Sequence, residues 1–70
     1  MPRYYFHIRF EGEVIPDRFG RELPGSAAAQ NQARDMARHL LSTCGQHWRE
    51  AELHVVTGSQ EVTTIRFAEL

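Results

Sequence analysis

Four histidines and a single cysteine are the side chains in this chain with the most chemistry to offer. His7, His39, His47 and His54 raise the question of a metal. Zinc needs three or four ligands converging at about 2 Å, and no H-x-x-x-H spacing brings any two of these together on one helix turn. His7 and His54 meet only if the strands that carry them are neighbours, and His39 falls on the outer side of a helix. Cys44 would act as a nucleophile only if exposed beside a positive group or a helix N-terminus. Its place at the far end of a helix, on the apolar side, predicts a packed core thiol instead. Ser26, Ser42 and Ser59 lack a nucleophile-elbow context, and no glycine-rich phosphate loop is present. Glu11 and Glu13 flank a turn, but nothing beside them supports a paired-carboxylate site. A chain of 70 residues also leaves little volume for a pocket of several hundred cubic ångströms. These residues predict no catalytic site, no cofactor and no metal.

A different chemistry is written in the first ten residues. Tyr4, Phe6, Ile8 and Phe10 alternate with Arg3, Tyr5, His7 and Arg9. Strict period-two alternation marks a half-buried strand with one apolar face and one face near solvent. Here the solvent face is aromatic and basic. Open sheet faces of that kind stack nucleobases on aromatic rings beside cations. The candidate interaction face is Arg3, Tyr5, His7 and Arg9, joined by His54 and Arg66 from later strands. Glu52 on the same face opposes a nucleic-acid reading. So does the net charge of −1, from eight arginines, no lysine and nine acidic residues, which exerts no general pull on polyanions or anionic membranes.

The elements that must position these residues follow from pattern and punctuation. The first strand runs over about 3–10. Glu11-Gly12 is a turn, and a short strand follows over about 13–15, ended by Pro16. Asp17-Arg18-Phe19-Gly20 predicts a type I turn, with Asp at its first position and Gly at its fourth. The next four residues, to Pro24, are extended, because the residue before a proline avoids helical dihedrals. A helix is predicted over 26–44, capped by Gly25 or Ser26 and ended by Gly45. Its buried face carries Ala29, Ala33, Met36, Ala37, Leu40, Leu41 and Cys44. The small alanines allow close approach to a sheet. A connector with Trp48 covers one end of the core.

Two more strands are predicted, over about 52–57 and 61–67. A three-residue turn, Gly58-Ser59-Gln60, with a glycine bulge would place Leu53, Val55, Thr63, Ile65 and Phe67 on one apolar face. The opposite face would then carry Arg3, Tyr5, His7, Arg9, Glu52, His54, Val56, Val62, Thr64 and Arg66. The expected fold is a single α+β domain of ββαββ order. Two hairpins are joined by one amphipathic helix, packed on one face of a four-stranded antiparallel sheet.

Two segments carry a family resemblance. Met1-Pro-Arg-Tyr-Tyr-Phe-His-Ile8 resembles the M-P-x-[YF]-[YF]-F-H start of a family of short uncharacterised proteins abundant in rhizobial and related alphaproteobacteria. Asp17-Arg-Phe-Gly-Arg-Glu-Leu-Pro24 resembles that family's D-x-x-G-x-E-L-P element. The chain departs from the pattern at Gly25 and Ala27, where members often carry acidic residues. The resemblance implies a ββαββ domain and no activity, and it transfers no site residues.

Size sets the remaining expectation. A chain this short buries only about 60% of its unfolded surface, and small domains usually need a staple. One cysteine cannot form an internal disulfide, and an unpaired thiol suits a reducing cytoplasm. No stretch approaches a membrane span. The staple is then a second copy or another protein. The expected role is a non-catalytic, self-associating interaction or regulatory module, with nucleic-acid binding through the open face as the alternative.

Overall fold

The computed structural model describes the backbone of all 70 residues and every side chain except those of Cys44 and Gln46. The elements in order are β1 (Arg3–Phe10), β2 (Glu13–Ile15), β3 (Arg21–Glu22), α1 (Ser26–Cys44), a 3-10 helix (Gln46–Glu50), β4 (Glu52–Thr57), β5 (Gln60–Arg66) and a closing 3-10 helix (Phe67–Glu69). The sheet is antiparallel in the order β2-β1-β4-β5, and β3 pairs with β1 on the same side as β2. The fold is α+β, with the helix on one face of the sheet. The extended segment after Gly20 therefore contributes a fifth strand beyond the four expected, two residues long.

The alternation in β1 decides which face is buried. Tyr4 and Phe6 lie in the core with Leu53, Val55, Phe67 and Ala51, beneath Ala29, Ala33 and Ala37 of α1. Those three helix alanines are fully buried. With only a methyl group each, they let the helix backbone lie close to the sheet. Met36, Leu40 and Leu41 pack against the rim of this cluster. The expectation that Cys44 packs in the core concerns a side chain outside those described. Gly25 is the N-cap, with no side-chain cap and no acidic residue in the first turn. Trp48 lies against Phe10 with ring centroids 4.8 Å apart and planes 18° off parallel, so the indole does cover one end of the core.

The last hairpin differs from expectation in an instructive way. Its turn is the two-residue Gly58-Ser59, with Thr57 opposite Gln60. The register then shifts between Val55 and Val56, leaving Val62 as the extra residue of a β-bulge. The bulge lies within the strand rather than in the turn. It still places Leu53 opposite Ile65 and Val55 opposite Thr63, the single apolar face that the core requires. Phe67 leaves the strand for the closing 3-10 helix but stays buried, its N–H donating to Ala51 O at 3.1 Å. Val62, expected on the open face, instead packs against the core cluster. Glu61 takes the position opposite Val56.

Candidate functional site

The segment between β2 and β3 is organised by one carboxylate. β1 is paired by β2 at Ile8–Phe10 and by β3 at Arg3–Tyr4, which leaves a gap between them. Asp17 fills it. Its Oδ2 accepts from Phe6 N–H at 3.2 Å, while Oδ1 accepts from Phe19 N–H and Gly20 N–H, both at 3.1 Å. Its own N–H donates to His7 Nδ1 at 3.0 Å. Burial opposes ionisation of Asp17. The N–H groups of Gly20, Phe6 and Phe19, with the charge of His7 when it is protonated, outweigh it and hold the carboxyl below its usual value. Gly20 completes the device at φ +68°, where a Cβ would come within 2.9 Å of Tyr4 O and of the Arg3 and Tyr5 side chains. The Asp-x-x-Gly element is thus explained by backbone satisfaction at a sheet edge.

The face of the sheet away from α1 gathers five of the six residues expected there. Tyr5 and His7 lie along β1 with ring centroids 6.3 Å apart and planes within 12°. His7 stands directly opposite His54, and Arg9 opposite Glu52. Glu52 draws in Arg9 at 3.8 Å and Arg66 at 3.5 Å. Arg9 Nη2 also donates to His54 Nδ1 at 3.4 Å, and His54 Nε2 donates to Glu61 Oε1 at 3.0 Å. Glu61 accepts a further bond from the Thr64 hydroxyl at 3.1 Å. These contacts assign His7 and His54, when neutral, the same tautomer, with the proton on Nε2. Arg3 is the sixth. It turns to the sheet edge, donating to Phe19 O at 2.6 Å and pairing with Glu22 at 3.1 Å.

Two arginines and two glutamates therefore balance across this face. Glu61 was not expected there. Its presence depends on the bulge at Val62, which no residue type announces. Among the described residues no three His, Cys, Asp or Glu side chains are gathered to hold a metal ion. His39 and His47 lie elsewhere, His39 exposed on α1 and His47 tilted against Phe10 and Trp48. An open cleft of about 270 Å³ lies between α1 and the sheet edge, lined by Phe6, Asp17, Gly20, Arg21, Gln32 and Met36. It falls below the roughly 300 Å³ at which small-molecule pockets begin.

The edge beside that cleft carries the larger surprise. Phe19 is 83% exposed, Val14 54% and Ile15 51%. Phe19 is also held on both sides of its backbone, its N–H by Asp17 and its C=O by Arg3. Its position in a turn gave no reason to single it out, since isolated exposed aromatics are common. What distinguishes it is the pinned backbone and the presence of two more exposed apolar side chains, Val14 and Ile15, on the same sheet edge.

Among the described residues no helix is long and apolar enough to cross a membrane. A family model described as Domain of unknown function (DUF6894) matches residues 3–68. No curated protein and no solved structure matches the chain.

Proposed function

We propose, for a chain that belongs to the DUF6894 family, a non-catalytic role as a protein-interaction or regulatory module that self-associates. The observation that carries this reading is the pinned, exposed Phe19 on the same sheet edge as the exposed Val14 and Ile15 of β2. An aromatic held on a fixed backbone loses little freedom on docking, which is how interface anchors work. A thin core adds support. Of its nine buried apolar residues, among those described, four are alanines. A second copy would supply the missing burial, and a net charge of −1 offers little repulsion to it. We place the module in the cytoplasm, on the strength of the lone cysteine. The short alphaproteobacterial type with an M-P-x-Y-x-F-H start is likewise our reading, resting on Met1–Ile8. Light scattering on untagged protein over a hundredfold dilution tests self-association. The expected result is twice the chain mass at the concentrated end. A single-chain mass throughout refutes the reading.

A second reading, nucleic-acid binding, is favoured by the nearly parallel Tyr5 and His7 rings on the open face. It is the weaker one, because Arg9 and Arg66 both engage Glu52. If it holds, the wild type binds a labelled single-stranded oligonucleotide in low-salt anisotropy titrations, and Arg9→Glu abolishes that binding with the fold intact. Absence of wild-type binding, or binding unchanged in the variant, removes this reading.

A further inference from the structure

We infer that the edge formed by β2, the 16–20 loop and β3 mates side by side with the same edge of a second copy, antiparallel, about a two-fold axis perpendicular to the sheet. This rests on the self-association reading and names its surface.

The charges along the edge carry the inference. Glu13 stands opposite Phe10 and Arg21 opposite Tyr4. Their levels are thus six residues of β1 apart, about 20 Å. Both are exposed. Neither forms an ion pair within the chain among the described residues, in contrast to Arg3, Glu22, Arg9 and Glu52 around them. Glu11, exposed at the β1–β2 turn, and Arg18, exposed in the loop that leads to β3, also have no ion-pair partner among the described residues. The edge therefore reads acidic at the β1–β2 turn, apolar in the middle at Val14, Ile15 and Phe19, and basic towards β3. Such a strip complements itself when one copy is reversed, the isologous arrangement of a two-fold dimer.

Register supports the same geometry. A two-fold at the level of His7 brings the Phe10 level of one copy against the Tyr4 level of the other. Those positions lie on the same face of the sheet, as a perpendicular axis demands. Glu13 then faces the second copy's Arg21 twice over. Val14, opposite Arg9, faces the stretch beside Tyr5, where the Gly20 backbone lies close and Phe19 precedes it. The result is an apolar centre with a charged rim, the usual anatomy of an interface. Pro16 has no N–H to donate, so side chains rather than a continuous sheet make the contact. The opposite edge, β5, is less suited, because the bulge at Val62 disrupts the strand there.

Charge reversal at the two ends tests this. Sedimentation velocity would compare wild type, Glu13→Arg, Arg21→Glu and the double variant, which keeps the net charge of −1. Circular dichroism would confirm that each is folded. The expected result is a wild-type dimer, a dissociation constant raised by on the order of tenfold or more in each single variant, and recovery in the double variant. Recovery cannot come from general damage, since it requires two lesions to cancel. A wild-type dimer whose constant neither single variant changes, or singles that weaken without recovery in the double, overturns this edge but leaves self-association standing. A monomeric wild type removes both.

Discussion

Replacing Phe6 by alanine is expected to unfold the domain at room temperature. Phe6 is 4% exposed, sits opposite Val55 and belongs to the cluster beneath the three helix alanines. Removing a buried phenylalanine ring costs about 3–5 kcal/mol, as lost transfer energy plus the cavity left behind. A domain of this length has a total stability of about 4–10 kcal/mol at typical values per residue, and a core in which four of the nine buried apolar residues described are alanines puts this one at the low end. Alanines cannot close the hole, because they have no side chain with which to move into it. Urea titration followed by circular dichroism would read a midpoint near zero denaturant. The contrast is Phe19→Ala, the same deletion at an exposed site, expected to leave monomer stability within about 0.5 kcal/mol. A native melt for Phe6→Ala would mean that the faces of β1 are reversed.

The second large effect is expected from Asp17→Ala, at about 2–4 kcal/mol. The variant leaves the N–H groups of Phe6, Phe19 and Gly20 without their acceptor. Hydrogen bonds to a charged group are worth about 1.5–3 kcal/mol each when well made, and solvent near the edge compensates part of the loss. Asp17→Asn should cost less. An amide can still accept from Phe19 and Gly20, but it turns an NH2 group against the Phe6 N–H. Acid provides an independent check. The carboxyl is held below its usual value in the folded chain, so between the folded and unfolded values the unfolded chain binds more protons. Its contribution to stability is present above about pH 4, the unfolded value, and is lost as pH falls through the folded one. The gap in stability between wild type and Asp17→Ala should therefore narrow as the pH is lowered below about 4. A gap independent of pH would show that the carboxylate's charge contributes nothing.

Much of this architecture was legible in residue order. The alternation of Tyr4 to Phe10 named the buried face of β1, because a strand has a side-chain period of two and one face must meet the core. The alanines at 29, 33 and 37 named the face of α1, because helical neighbours recur every three to four residues. Five of the six candidate face residues, from Tyr5 to Arg66, do share one surface for the same reason. Asp17 and Gly20 were legible as turn residues, since one side chain accepts from nearby backbone and the other allows a positive φ.

Other features depended on contacts between segments distant in the chain. The carboxylate of Asp17 serves Phe6, eleven residues earlier, only because β2 and β3 leave a gap in the pairing of β1. Glu61 joins the open face and Val62 leaves it because the hairpin relieves its parity conflict by a bulge inside β5, where either placement would have matched the apolar pattern. Glu52 was legible on the same face as Arg9 and Arg66, but only the register of β1, β4 and β5 set it between them, where it engages both. Phe19 had no pattern to place it; the Asp17 and Arg3 contacts fix its backbone in a loop of the sheet edge, and its ring is left exposed there. Local periodicity is a property of consecutive residues, and the chain order carries it. Charge pairing, edge satisfaction and exposure are properties of residues brought together from far apart, and they exist only once the sheet has closed.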